Sequence, residues 1–431
     1  MKTKKTIRFI PAFITAFVLC TTVAFAQKPY TLDDLDQFTK VERLSERVLI
    51  VSNGVTDMDR VTAIATKKGI VVIDAGTNAP RTVRYRAIIE KEFKRNDFVY
   101  LINTHSHQDH TFGNRAFKGA VVIGHEKIKE ELTNNVKENY YTKTFSDAIK
   151  QWQAQLKEAE ENSNRWKQLR IYLYEGPEIL STIADNFRIP IPDISFNDEM
   201  ELDMGDMTFK LKYFGEAHTQ SDILVYVPEE KLLFVGDLFN YPGDVNFRFF
   251  GKGNSENWIK ALEKILVPEN DIEHVVNAHY SRTMGKNALM GFYANMQVFA
   301  NGYKEGKEPY NSENLTEIEQ KSGSKGLADE IKKLGTADKG KYFFFENTLN
   351  VTAYQLLGLN KMNEALEVFI FITQQFPDSW NAFDSLAEIY MAMGNKQLAI
   401  ENYEKSLQMN PQNANASEQI KKLREKSQGE K

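Results

Sequence analysis

The sequence predicts an α/β domain of layered sheets and helices followed by an all-α tail, and three features support this prediction. Strand and helix patterns alternate over roughly the first 300 residues. A charged, helical stretch interrupts that alternation near its middle, and a 34-residue repeat occupies the end of the chain. At 431 residues and 42% hydrophobic, the chain has enough apolar material for two or three domains.

The charge distribution argues against one class of partner. The formal net charge is -5, both signs are spread along the chain, and no long basic run occurs. A nucleic-acid-binding surface requires clustered positive charge, so nucleic acid is not an expected partner.

The first 26 residues have the pattern of a secretory signal peptide. A basic start precedes a mostly apolar stretch from Phe9 to Val23, and Ala24-Phe25-Ala26 fits the usual cleavage site. We therefore expect the mature chain to begin at Gln27, to be periplasmic or secreted, and to keep no stable membrane span.

Two alternatives to cleavage are less favoured. An uncleaved membrane anchor conflicts with a short apolar stretch that contains Pro11, and a lipid anchor on Cys20 conflicts with the bulky Leu19 before it. Cys20 is the only cysteine. The mature chain can therefore form no disulfide, and any metal in it must be held by His, Asp or Glu.

Apolar and β-branched runs that end at turn residues predict the strands of residues 27–300. A stretch at 126–186 lacks strand signals and spaces its aromatic residues along one helical face, so we interpret it as a helical insertion, either a lid or ordinary packing. We expect residues 223–227 and 231–235 to form a hairpin around Pro228. The predicted strands are 47–52, 61–66, 70–74, 98–103, 208–213, 223–227, 231–235 and 273–277, with helices at 79–94 and 258–266.

The C-terminal part divides into a connector and a repeat region. Residues 301–345 are rich in Gly, Lys and Glu with weak periodicity, which suits a connector. In residues 346–431, Ala365 and Phe369 recur 34 residues later as Ala399 and Tyr403, a pattern that resembles tetratricopeptide repeats. The resemblance implies a groove for a protein or peptide partner. Two repeats are few for a stable stack, so we expect packing on the catalytic domain or on a partner.

The residues with the clearest chemical meaning follow the strand 98–103. His105-Ser-His-Gln-Asp-His110 places three imidazoles and a carboxylate within six positions. Chance placement of ordinary core histidines rarely does this, and imidazole with carboxylate is a ligand set for zinc, iron or manganese. His125 and His274 fit no such pattern, and we interpret them as structural.

These residues resemble a known family. Thr104-His-Ser-His-Gln-Asp-His110 is similar to the H-x-H-x-D-H signature of the metallo-β-lactamase superfamily. Later positions match in order, which extends the resemblance over roughly residues 40–300 and implies an αββα sandwich with its site at the strand ends. The further matching positions are Asp74, His218, Asp237 and His279.

The resemblance also implies a division of roles. Two divalent ions are expected, most simply zinc, with iron or manganese as alternatives, and a hydroxide shared between them is the expected nucleophile. Asp237 would bridge the ions, Asp109 would also take part in proton transfer, and Asp74 would hydrogen-bond the ligand loop or cap its strand. One ion is assigned to His105, His107 and His218, and the other to Asp109, His110 and His279.

Within the family, the ligand set favours some reactions over others. Asp237 stands where true β-lactamases often have a cysteine or a different residue, which resembles the glyoxalase II, thioesterase, lactonase and phosphodiesterase branches. We therefore expect hydrolysis of a small ester, thioester or lactone, with β-lactam or phosphodiester hydrolysis as alternatives. A non-enzymatic alternative is an interaction protein whose repeats bind a partner and whose metal site is structural.

Overall fold

The computed structural model describes residues 30–56, 60–184, 190–238, 255–267, 269–279, 285–310 and 313–428. The expected signal peptide and Cys20 lie outside these ranges. Within them, no helix combines the length and apolar character needed to cross a bilayer.

Two β-sheets form the centre of the N-terminal part. The first contains β1 Thr39–Arg43, β2 Val48–Asn53, β3 Arg60–Thr66, β4 Gly69–Ile73, β5 Phe98–Ile102, β6 Val121–His125 and β7 Ile194–Phe196, in that spatial order. It is antiparallel from β1 to β4 and parallel from β4 to β7. The second has the order β12-β11-β10-β9-β8 and is antiparallel except for the pair β11 and β12. Its strands are β8 Glu199–Asp203, β9 Thr208–Tyr213, β10 Ile223–Val227, β11 Leu232–Gly236 and β12 His274–Asn277.

Helices cover the sheets and form the C-terminal part. The helices of the N-terminal part are α1 Leu32–Asp36, α2 Ala79–Phe93, α3 Gln108–Thr111, α4 Lys127–Lys137, α5 Tyr140–Glu158, α6 Asn164–Ala184, α7 Ser255–Ile265 and α8 Lys286–Lys304. Those that follow are α9 Glu313–Gly335, α10 Glu346–Gly358, α11 Met362–Gln375, α12 Trp380–Ala392, α13 Lys396–Met409 and α14 Ala414–Gln428. A two-residue pair, β13 Glu308–Pro309 with β14 Tyr342–Phe343, lies between α8 and α10.

Side chains alternate between the two faces of each sheet, and both faces are covered. The result is four layers, with the two sheets in the middle and helices on the outside. One face of each sheet contributes to a shared core in which residues such as Ile50 and Val71 pack with Phe209 and Val225. The opposite face of the first sheet packs on α2, and that of the second packs on α7 and α8. Burial of each such side chain contributes about 1.5–3 kcal/mol, so both faces of both sheets stabilise the fold. The expected αββα sandwich is confirmed.

The observed elements agree with most predicted strands and add several others. The hairpin of β10 and β11 forms around Pro228, with Val225 opposite Phe234. The sequence analysis did not identify β1, β6, β7 and β8. Three of these, β1, β7 and β8, are largely exposed edge strands, so they lack a sustained apolar pattern.

The predicted insertion consists of α4, α5 and α6 between β6 and β7. It packs on the ligand loop through a cluster that includes Phe112, Leu132, Tyr141 and Ile179. A buried ion pair between Arg81 of α2 and Glu175 of α6, 2.5 Å apart, adds a second attachment.

The segment 301–345, which we expect to be a connector, contains packed secondary structure. It contains α9, interrupted at Gly323 where φ is 65°, and the β13–β14 pair. Phe343 packs with Phe299 of α8 in the core beside the second sheet, while Leu327 of α9 joins the core of the tail. Among the described residues, most lysines of the segment are exposed, and they obscure its apolar spacing.

The C-terminal part is all-helical, as expected. The equivalent residues Ala365 and Ala399, and Phe369 and Tyr403, are all buried. The helix pairs α10–α11 and α12–α13 stack in sequence order, and α14 covers the last pair through residues such as Ile420. A closing helix of this kind buries the apolar face that a terminal repeat would otherwise expose.

Candidate metal centre

The histidine cluster lies on the loop that leaves β5. The strand ends at Ile102, and His107 precedes the short helix α3. Asn103 fixes the loop from within, because its side-chain amide donates to the carbonyl of His110 at 2.9 Å and to Asn114 at 3.1 Å. The cluster is therefore held in one conformation by a buried residue at the strand end.

Asp74, at the end of β4, supports the same loop. One carboxylate oxygen accepts from the backbone N–H of Thr104 at 2.8 Å, and the other contacts the Thr104 hydroxyl at 2.8 Å and His110 Nδ1 at 3.0 Å. Of its two predicted roles, hydrogen bonding to the ligand loop is confirmed. The contact with Nδ1 leaves Nε2 of His110 directed toward the other candidate ligands.

Three further candidate ligands come from the second sheet. His218 lies on the loop between β9 and β10, Asp237 follows β11, and His279 follows β12. Gly236 has φ of 52°, and a Cβ there would lie 2.9 Å from Thr104 Oγ1. This glycine lets the end of β11 approach the ligand loop closely enough for Asp237 to reach the histidines.

The structure brings all seven predicted metal residues together. Their ligand atoms form two groups, each with its atoms within 4.8 Å of one another. The first group contains His105, His107, His218 and Asp237, and the second contains Asp109, His110 and His279. Six residues fall into the two sets expected from the sequence, and Asp237, expected to serve both ions, is grouped with the first set. The ligand role of each residue remains a prediction.

Asp237 occupies the centre of the arrangement. Its Oδ2 lies 3.4 Å from His218 Nε2, 3.7 Å from His105 Nε2 and 2.8 Å from His279 Nε2. Its Oδ1 lies 3.5 Å from His110 Nε2. A single carboxylate thus faces imidazoles of both groups, as a residue that bridges two ions must.

The donor atoms fit divalent cations. Within the described residues, the buried Nε2 of His105 has no hydrogen-bond partner, although buried polar atoms are nearly always paired. Imidazole nitrogen and carboxylate oxygen together suit zinc and related ions. A lone pair directed at the centre of a carboxylate-containing cluster is the arrangement expected of a metal ligand.

The electrostatics of the cluster differ between its members. Burial lowers the pKa of His105 well below its usual value and that of His218 to about 3, so both imidazoles are neutral and can donate a lone pair. Burial also acts to lower the pKa of His279, but the Asp237 carboxylate outweighs it and raises the value to about 8. Cations bound here would therefore displace a proton from His279.

Several supporting residues were not predicted. Arg60, buried at the start of β3, donates to the carbonyl and side-chain oxygens of Asn277 at 3.2 and 3.3 Å, two positions before His279. Glu131 of α4 accepts hydrogen bonds from the loop that carries His218. Neither residue has a distinguishing sequence signal, because isolated Arg and Glu are common on strands and helices. His125 stacks on Tyr213 with ring centroids 3.8 Å apart, away from the candidate ligands, which agrees with its structural interpretation.

A four-layer sandwich with clustered His and Asp at its strand ends defines a class of metal-binding αββα proteins. A family described as the metallo-beta-lactamase superfamily matches residues 59–279, and this chain belongs to it. Members of the superfamily are generally hydrolases and usually bind divalent metals. A family described as the tetratricopeptide repeat matches residues 381–413.

Individual similar proteins are distant. A metallo-beta-lactamase type 2 of Elizabethkingia meningoseptica is 19% identical over 247 residues, which is 56% of this chain and 78% of that protein. A metallo-beta-lactamase type 2 of Bacteroides fragilis is 24% identical over 97 residues, 22% of this chain and 39% of that protein. Among solved structures, a metallo-beta-lactamase from Pontibacter korlensis aligns with 60% of this chain and 99% of its own, at 17% identity and a TM-score of 0.41.

Proposed function

We propose that this chain is an exported hydrolase that uses two divalent ions, most simply zinc, to cleave a small ester, thioester or lactone. The observation that carries the proposal is the position of Asp237, whose carboxylate faces imidazoles of both ligand groups. Two ions held in this way would lower the pKa of a shared water and polarise the substrate carbonyl.

The protein residues would transfer protons and orient the ligands. Asp109 lies 3.4 Å from His279 Nε2 and 3.7 Å from His110 Nε2, so its carboxylate is placed among the second group and can accept or return a proton during turnover. Asp74 holds His110 through Nδ1, which keeps its other nitrogen available. A rigid set of ligands reduces the reorganisation needed when charge develops on the substrate oxygen.

The choice of an acyl substrate is supported by the ligand set. Asp237 would supply a carboxylate at the bridging position, which resembles the thioesterase, lactonase and phosphodiesterase branches of the superfamily. β-Lactam hydrolysis is the second candidate, favoured by the names of the similar proteins from Elizabethkingia meningoseptica and Bacteroides fragilis. The repeats would bind a protein or peptide partner.

Initial rates of purified residues 27–431 test the proposal. The chain is assayed with and without a chelator on a chromogenic ester or lactone, a chromogenic β-lactam and a chromogenic phosphodiester. We expect chelator-sensitive turnover of the acyl substrate above the other two. Turnover of only the β-lactam or only the phosphodiester would replace the substrate assignment, and no chelator-sensitive turnover would favour the interaction protein.

Asp237→Ala is the matched variant. We expect its metal content to fall from two ions toward one, with most turnover lost, because both ligand groups lose a shared oxygen. Retention of both ions would contradict the bridging assignment.

For export, a mature chain starting at Gln27 in the periplasm or medium would support the proposal, whereas an unprocessed chain in the membrane would contradict it.

A further inference from the structure

The loop that carries His218, residues 214–222, connects β9 and β10 of the second sheet. Its turn is fixed internally, since Ala217 N–H donates to the Thr219 carbonyl at 2.9 Å and Thr219 N–H donates to Asp222 Oδ2 at 2.5 Å. These bonds set the shape of the turn. They leave open what holds the turn against the first sheet, from which His105 and His107 come.

Glu131 of α4 supplies one such contact, in addition to the Ile223 N–H, which donates to the Thr104 carbonyl at 2.9 Å. One of its carboxylate oxygens accepts from the backbone N–H of Gln220 at 2.8 Å, and the other accepts from the Ser221 hydroxyl. Hydrogen bonds to an ionised carboxylate are roughly twice as strong as neutral ones. A second pair joins the same helix and loop, because Lys127 lies 2.8 Å from Glu216. The helical insertion thus contacts the loop on both sides of His218.

We expect the position of His218 to depend on these contacts between α4 and the loop. Its Nε2 lies 3.2 Å from His107 Nδ1, so the two imidazoles converge from different sheets. Ligand distances in a zinc site tolerate only a few tenths of an ångström, and outer residues that orient ligands commonly change metal affinity by 10–100-fold. A loop released from α4 would let His218 withdraw from His107.

The second ligand group is supported separately. Asp74 holds His110, and Arg60 holds Asn277 beside His279. None of these contacts involves α4. Loss of Glu131 should therefore weaken the binding of one ion and leave the binding of the other unchanged.

We propose that Glu131 is a positioning residue for the ion site formed by His105, His107 and His218, so that the helical insertion serves to assemble the metal centre. The proposal rests on the metal assignment under Proposed function. Glu131 acts through the loop and is not itself expected to touch an ion.

Zinc titration of the metal-free chain tests this proposal. Residues 27–431 are stripped with a chelator and titrated with zinc chloride by calorimetry, for the unmodified chain, Glu131→Ala, Glu131→Gln and Glu130→Ala. We expect Glu131→Ala to lower the affinity for one zinc ion by 10–100-fold and the affinity for the other by less than about 3-fold. Glu131→Gln should recover part of the loss, because its amide oxygen can still accept one of the two bonds. Glu130→Ala changes the exposed neighbouring carboxylate and should bind like the unmodified chain.

Paired substitutions identify the affected site. The effect of Glu131→Ala should disappear in a His218→Ala background, because the ligand it positions is gone, and should persist in a His279→Ala background. Unchanged zinc affinity in Glu131→Ala, or equal weakening of both ions, would overturn the proposal. So would a lower unfolding temperature of the metal-free variant without a change in zinc affinity. An unmodified chain that binds no zinc would instead overturn the metal assignment itself.

Discussion

Asp222 shows how one buried carboxylate can make stability depend on pH. It is buried at the end of the His218 loop, and Oδ2 accepts the Thr219 N–H, whereas Oδ1 has no hydrogen-bond partner within the described residues. Burial raises the pKa of Asp222 to about 7. An aspartate in an unfolded chain ionises near pH 4. The folded chain therefore holds a proton between about pH 4 and 7 that the unfolded chain releases.

The sign of this difference gives the first prediction. A raised acid pKa imposes no cost below about pH 4, and its full cost is present above about pH 7. Asp222→Asn removes the charge and keeps an acceptor for Thr219. We expect the free energy of unfolding of the metal-free variant to exceed that of the unmodified chain, by an amount that increases from pH 5 to pH 8. The upper limit is about 4 kcal/mol, since one pKa unit corresponds to about 1.4 kcal/mol.

Urea denaturation at both pH values measures the effect. Asp198→Asn, at an exposed aspartate, serves as the control and should show a difference that does not vary with pH. A pH-independent difference for Asp222→Asn would show that this carboxylate is not the source of the pH dependence.

Residues differ in how readily the sequence reveals their role. The candidate ligands within His105–His110 could be predicted because three imidazoles and a carboxylate in six positions are improbable outside a metal site. Glu131 could not be, since glutamate on an exposed helical face is ordinary. Its role depends on a hydrogen bond to a loop 89 residues away in the chain.

At the scale of elements, the ion pair of Arg81 and Glu175 attaches the insertion to α2. The two side chains are 2% and 6% exposed, and their charged atoms are 2.5 Å apart. Removal of one member of a buried pair leaves an uncompensated charge and typically costs 3–5 kcal/mol. We expect Glu175→Ala to lower the free energy of unfolding by roughly that amount and Glu175→Gln by less.

Chemical denaturation of the two variants checks this second prediction. Glu158→Ala, at an exposed glutamate of α5, should cost less than about 1 kcal/mol. An equally small loss for Glu175→Ala would show that α6 is held by its apolar contacts alone.

Elements with a continuous apolar face could be predicted from the sequence, and others could not. The strands β2, β3, β4, β5, β10 and β11 contain buried apolar runs, so their patterns were clear. The edge strands β7 and β8 contact the core on few positions. In α9, Leu315, Leu327 and Leu334 are buried, but Gly323 breaks the helical period between them.

At the scale of the whole molecule, Phe343 connects the two parts of the chain. It lies in β14, after α9, yet it packs with Phe299 of α8 in the core beside the second sheet. Gly302 makes this possible, because a Cβ on that residue would lie 2.2 Å from the Phe343 ring. The helical tail is thus attached to the sandwich through an aromatic side chain seated on a glycine.

The third prediction concerns this attachment. Phe343→Ala should destabilise the N-terminal part by about 3–5 kcal/mol, and Gly302→Ala should act in the same direction by blocking the ring. Calorimetry should show a lower unfolding temperature for both variants. Val351→Ala, at a partly exposed residue of α10, should have little effect. If all three variants unfold at the same temperature, the two parts are stable independently of Phe343.

The sequence by itself predicted an α/β domain, a helical tail and a candidate metal cluster, because each depends on a local pattern: apolar periodicity, a 34-residue repeat and a dense His and Asp cluster. The αββα sandwich and the more distant candidate ligands followed from the resemblance to a family. The tertiary structure alone decided how the ligand groups converge on Asp237, how α4 holds the His218 loop and how Phe343 joins the tail to the sandwich. These depend on contacts between residues far apart in the chain. No local pattern encodes such contacts, because either partner would be an ordinary residue without the other.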